Sequence, residues 1–214
     1  MLIFGLAATK ILKVPEVKLT DEQKKAVTKL SVKSFFEEKA LPMAIIIFFV
    51  SLGFASILGF ITSYEKEQNL LEAGKYFFVV YAIFTVFSRP FTGRLFDKKG
   101  DNFVMYPSFL IFAIGLFILS ITTNEIMLLT VAACMGLGFG TYMSCAQAIT
   151  IKLSPKHRIG LATSTFFIFM DLGVGFGPLL LGMIVPILKF KGLYILMGIT
   201  LIICAILYTL TCEN

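Results

Sequence analysis

The chain has 214 residues, 57% of them hydrophobic and only 15% charged, with 23 Phe. A soluble domain of this length carries roughly a quarter charged residues and less than half apolar ones, so the composition is that of an integral membrane protein. The net charge of +6 lies on basic residues placed between apolar runs and not along one face, which points to membrane topology and away from nucleic acid.

In chain order, Met1–Leu12 is apolar but too short to span a bilayer. Lys10 and Lys13 follow its apolar part and no basic stretch precedes it, so it does not read as a signal peptide. It reads as the truncated end of a preceding transmembrane helix. Residues 13–40 form a polar linker. Thr20-Asp-Glu-Gln23 and Ser34-Phe-Phe-Glu37 have the spacing of capping boxes, with Val27 and Leu30 on one face between them. Short amphipathic helices on the membrane surface and a charged, irregular linker are equally open readings.

Residues 41–214 then hold six apolar runs: Leu41–Tyr64, Tyr76–Gly93, Phe103–Asn124, Ile126–Ile151, Ile159–Leu188 and Gly192–Cys212. Most contain about 20 uncharged residues, the length a spanning helix needs. No run shows the period-2 alternation of a transmembrane barrel. The predicted fold is all-α, a bundle of six transmembrane helices. Fifteen Lys and Arg flank one set of helix ends, and only Lys66, Lys75, Lys189 and Lys191 flank the other. This bias predicts a multi-pass protein with both termini in the cytoplasm.

Enzyme chemistry has no support in the residues. His157 is the only histidine, and the four cysteines lie within or at the end of apolar runs with no CxxC spacing, so no metal site or cofactor is expected. There is no phosphate-binding loop, nucleophile elbow or HExxH.

Four features carry the functional reading. The first is the stretch Gly93-Arg94-Leu-Phe-Asp97-Lys98-Lys-Gly100 after the second run, read as a sharp cytoplasmic loop. Its glycines would allow close approach and positive φ, and Asp97 would meet a neighbouring helix N-terminus or pair with Arg89, Arg94, Lys98 or Lys99. An ordinary positive-inside loop explains the same residues about as well. The second is Gly136-Leu-Gly-Phe-Gly140 with the polar residues after it, of which Tyr142 and Gln147 are candidates for a substrate cavity. Interhelical hydrogen bonds are the competing use of those groups.

The third feature is Asp171, the sole charged residue of Ile159–Leu188. A carboxylate near mid-bilayer costs on the order of 2.5 kcal/mol or more, so it is expected to face a bundle interior or a watery pathway. That makes it the candidate for proton coupling, against a rival role as a hydrogen-bonded packing residue. The fourth follows at once: Gly173 and Gly177 share a helix face and let another backbone approach, while Pro178 removes a backbone hydrogen bond and permits a bend.

The spacing of Gly93, Asp97, Lys98 and Gly100 resembles the cytoplasmic loop signature of major facilitator superfamily transporters, G-x-x-x-D-[RK]-x-G-[RK]-[RK], with Asp101 and Asn102 where the family has a basic pair. Gly173-x-x-x-Gly177-Pro178 is similar to the core of the motif on the fifth helix of the superfamily's antiporters, with Gly182 one position later than that pattern has it. The resemblance implies the C-terminal half of such a transporter, helices seven to twelve. Met1–Leu12 would be the end of helix six and residues 13–40 the central loop. It implies a secondary transporter of a small solute or drug-like compound in the plasma membrane, coupled to protons. The partners would be the lipid bilayer, the substrate and a separately encoded N-terminal six-helix half. A truncated or split-gene membrane protein without activity of its own is the alternative.

Overall fold

The computed structural model describes residues 36–212. The expectations for Met1–Leu12 and for 13–35 fall outside the described residues. A short 3-10 turn, Glu38–Ala40, leads into α1 (Leu41–Glu67), followed by α2 (Leu71–Lys99), α3 (Asn102–Ser120), α4 (Glu125–Leu153), a second 3-10 turn (Lys156–Arg158) and α5 (Ile159–Cys212). No strand occurs among the described residues.

The helix ends follow from local chemistry. Pro42 sits in the first turn of α1, where its missing N–H costs nothing. Asn69 takes φ 59°, a left-handed conformation that Asn tolerates, and so turns the chain from α1 into α2 within a few residues. Gly100 closes α2 at φ 88°, where a side chain would be strained. Asn124 caps α4 by accepting a hydrogen bond from the Met127 N–H at 2.9 Å. Ser154, held extended before Pro155, ends α4.

Five of these helices are long and apolar enough to cross a membrane. The sequence predicts six. The difference lies in α5, whose 54 residues run through both of the last apolar stretches. At 1.5 Å per residue it would extend roughly 80 Å, far beyond a ~30 Å hydrocarbon core. Lys189 breaks its helical geometry at φ 56° and ψ 176°, between arms of 159–188 and 190–212. Lys189 is where the helical dihedrals fail, and Pro178 and Pro186 both lie inside the first arm of α5.

Packing joins α1 to α5, α2 to α4, and α3 to both α4 and α5. Without water between helices, van der Waals fit drives this association, and aromatic contacts supply much of it. Phe54 of α1 stacks on Phe139 of α4 with ring centroids 4.0 Å apart. The Tyr64 hydroxyl donates to the Leu119 and Thr122 carbonyls at 2.8 and 3.1 Å, which ties α1 to the turn where α3 ends. Tyr208 donates to Asn102 Oδ1 at 2.8 Å and fastens the last turns of α5 to the start of α3.

Candidate functional site

Asp171 lies in the first arm of α5 and is exposed on the bundle surface. Its neighbour two residues on decides this orientation. Gly173 presses on α1 so closely that an added Cβ would stand 2.6 Å from the Phe48 carbonyl oxygen and 2.7 Å from Ser51 Cβ. Two residues turn a helix by about 200°, so Asp171 points away from α1. The expectation of a carboxylate facing the interior of this bundle is thereby corrected. The rival packing role is not what this geometry offers either, because Asp171 makes no hydrogen bond or ion pair among the described residues.

Gly177 continues the close face, where an added Cβ would fall on that of Ala55. Pro178 lies against Gly59, its ring 3.3 Å from where a Cβ would be. All three residues therefore serve the α1–α5 seam. On α4, Gly136 and Gly140 serve α2 in the same way. A Cβ on Gly136 would meet the Tyr81 carbonyl oxygen at 2.6 Å, and one on Gly140 would meet Thr85 Cγ2 at 2.8 Å. Tyr142, expected as a cavity residue, is buried to 1% exposure with its ring 4.9 Å from that of Phe109. It fills core space and does not line an open cavity in this bundle, whereas Gln147 is half-buried.

The region read as a loop after the second run is mostly helix. α2 continues through Lys99, so Gly93, Arg94, Asp97 and Lys98 occupy its exposed last turns, and only Gly100 makes the turn. Gly93 is not at a close approach, since nothing lies within 4 Å of its missing Cβ. Asp97 forms no ion pair with Arg89, Arg94, Lys98 or Lys99. Lys99 instead sets its ammonium over the Phe103 ring, 4.3 Å from the centroid.

Two ties at this end of the bundle escaped the sequence. Asp101 binds Lys152 of α4 at 2.9 Å and accepts the Met105 N–H on its carbonyl at 3.0 Å. Asp101 thus performs the anchoring that the spacing assigned to Asp97. The capping box expected of Ser34 and Glu37 lies outside the described residues, because Ser34 does, but Glu37 itself is described. Its buried carboxylate pairs with Arg158 Nε at 2.9 Å, and its N–H donates to Thr165 Oγ1 at 3.0 Å. A carboxylate this deeply buried requires such a partner, and loss of one member of a buried pair typically costs ~3–5 kcal/mol.

The sequence that folds this way has matches among known proteins. Residues 43–213 match the Major Facilitator Superfamily. The chain belongs to that superfamily. Similar curated relatives include the Multidrug resistance protein MdtG of Dickeya zeae (strain Ech586), 26% identical over 164 residues, covering 73% of this chain and 40% of the relative. MdtG of Proteus mirabilis (strain HI4320) is 26% identical over 166 residues, covering 74% of this chain and 41% of that one. An uncharacterized MFS-type transporter of Methanocaldococcus jannaschii is 24% identical over 162 residues, with 75% and 42% covered. The chain's match spans about two-fifths of the length of these relatives. As a major facilitator protein with long apolar helices it is a multi-pass membrane protein of a transporter family.

Proposed function

We propose that this chain is the C-terminal six-helix half of a secondary active transporter that moves a small solute, drug-like in class, across the plasma membrane with proton coupling. The two arms of α5 are the fifth and sixth spans, residues 13–40 are the cytoplasmic linker, and both termini are cytoplasmic. The observation that carries the reading is the apolar exposure of α2 and the first arm of α5. Val86 and Phe87 of α2 are 70% and 64% exposed, and Leu179 and Met183 of α5 are 64% and 63% exposed. α2 is buried chiefly against α4, and α5 against α1 and α3. Their remaining faces are the surface on which a separately encoded N-terminal half would sit, and Asp171 lies on the α5 part of it.

In this reading the end of α2 at Gly93–Gly100 belongs to the cytoplasmic mouth of the transporter. Asp97 there is a structural residue and not a substrate ligand, while Gln147 remains the cavity candidate on α4. The substrate class rests on the two named multidrug resistance relatives. Co-expression with an N-terminal half, followed by an uptake assay, tests the proposal. Uptake by the pair and none by this chain alone is expected. The same uptake from this chain alone would contradict the half-transporter reading, and none from the pair would favour a membrane protein without its own activity.

A further inference from the structure

Three acids of the bundle have settled environments that differ. Glu37 is buried and paired with Arg158, and Asp171 is exposed. Glu65, near the end of α1, is buried to 5% exposure and has no cation beside it among the described residues. Its Oε1 has no hydrogen-bond partner. The position opposite on α2 is Gly74, where a Cβ would fall on the Glu65 carboxylate itself. The Glu65 carboxyl therefore lies directly against the bare backbone of Gly74.

The third wall comes from the second arm of α5. Tyr194 is fully buried, within electrostatic reach of Glu65, and its hydroxyl also has no partner. Its ring stands edge-on to that of Tyr64 with centroids 5.4 Å apart. Tyr64 is no competitor for the acid, because its hydroxyl is engaged by the Leu119 and Thr122 carbonyls. The remaining charges at this end are turned outward. Lys66, Glu67, Lys189 and Lys191 are exposed, and Lys75 is bound to Glu72 at 2.6 Å on the surface of α2.

An ionised carboxylate enclosed in this way, with no cation and an unmet oxygen, would be strongly unfavourable. A neutral carboxyl is not, since it carries an O–H of its own and needs no counter-charge. Glu65 Oε1 and the Tyr194 hydroxyl, on separate helices, are both buried without a hydrogen-bond partner among the described residues, which calls for an exchangeable ligand. We propose that Glu65, Tyr194 and the gap at Gly74 form a proton-binding site between α1, α2 and the second arm of α5. The Glu65 carboxyl takes its proton from water at the adjacent helix ends and returns it there when the helices part. The phenol of Tyr194 stays intact throughout. This site is separate from Asp171 and lies toward the opposite end of the bundle from Gly100.

Infrared spectroscopy of the purified full chain in nanodiscs at neutral pH reads this directly. The wild-type chain should show a protonated-carboxyl C=O band that is lost in Glu65→Gln, retained in Asp171→Asn and shifted in Tyr194→Phe. Retention of the whole band in Glu65→Gln would overturn the proposal, as would loss of carboxylate bands in its place. Should Glu65→Gln fail to fold, Glu65→Asp serves instead. It should keep the band and shift it, and an unshifted band would overturn the site equally. The Asp171→Asn arm separates failure of this site from failure of the coupling role given to Asp171.

Discussion

Asp171→Asn, in a transporter assembled from both halves, should abolish proton-driven accumulation while sparing downhill exchange and expression level. Asp171 is 12 residues beyond Ile159, or about 18 Å along the helix, which is near the middle of a ~30 Å core. A charge at that depth costs about 2.5–3.5 kcal/mol on insertion scales, so its presence there calls for a use. Among the described residues Asp171 has no partner whose loss would loosen the bundle, and the packing face of its helix is the opposite one, occupied by Gly173 and Gly177. Asn retains the size and removes the titration, so a loss confined to coupled uptake identifies a proton carrier. Active uptake with an unchanged pH profile would make Asp171 a bystander.

Gly136→Leu should give the largest loss of stability among single substitutions in the α2–α4 seam. The atoms that a Cβ would meet are the Tyr81 carbonyl oxygen at 2.6 Å, Phe84 Cβ at 2.9 Å and the Thr85 N at 3.0 Å. Two of the three belong to backbone, which cannot swing aside as the tip of a side chain can. Overpacking of this kind costs ~1–3 kcal/mol and occasionally more, against a gain of roughly 0.8 kcal/mol in helix propensity when Gly is replaced. A net loss of up to about 2 kcal/mol is expected as a lower thermal midpoint of the purified chain. Gly160→Leu, where nothing lies within 4 Å, should leave the midpoint unchanged or raise it. Equal midpoints for the two variants would mean that α2 is not held by the approach seen at Gly136.

The spans were legible because hydrophobic length alone sets them. The runs Phe103–Asn124 and Ile126–Ile151 differ only modestly from α3 and α4 at their ends. The break in α5 was legible too, since Lys189 and Lys191 interrupt an otherwise apolar stretch. The end of α2 was not. Gly93 and the charges after it read as a turn, yet Arg, Leu and Lys are good helix formers and carry the helix to Lys99.

Pairings between distant residues were beyond a single sequence. Nothing local marks Asp101 for Lys152, or Glu37 for Arg158, because the helices that bring them together are set by tertiary packing. Asp171 and Glu65 show the same limit from opposite directions. The acid in mid-run stands exposed, whereas Glu65, just past the end of a run and singled out by no pattern, is buried. Which face of a helix meets a neighbour depends on its partners. A periodicity drowned in uniformly apolar residues does not reveal it.

Assembly tests the central claim most directly, because it needs no knowledge of the substrate. With a tag on this chain and an N-terminal six-helix half co-expressed in the same membrane, the quantity to measure is the untagged half recovered on purification. The account predicts near-equal recovery of the two. A loss is also expected for Val86→Trp, which crowds the exposed face of α2 without adding charge; overpacking worth ~1–3 kcal/mol corresponds to roughly five- to hundredfold weaker association. The membrane level of the tagged chain should not change. Recovery that Val86→Trp leaves untouched, or no recovery with the unaltered chain, would contradict the claim that this face receives the other half of a transporter.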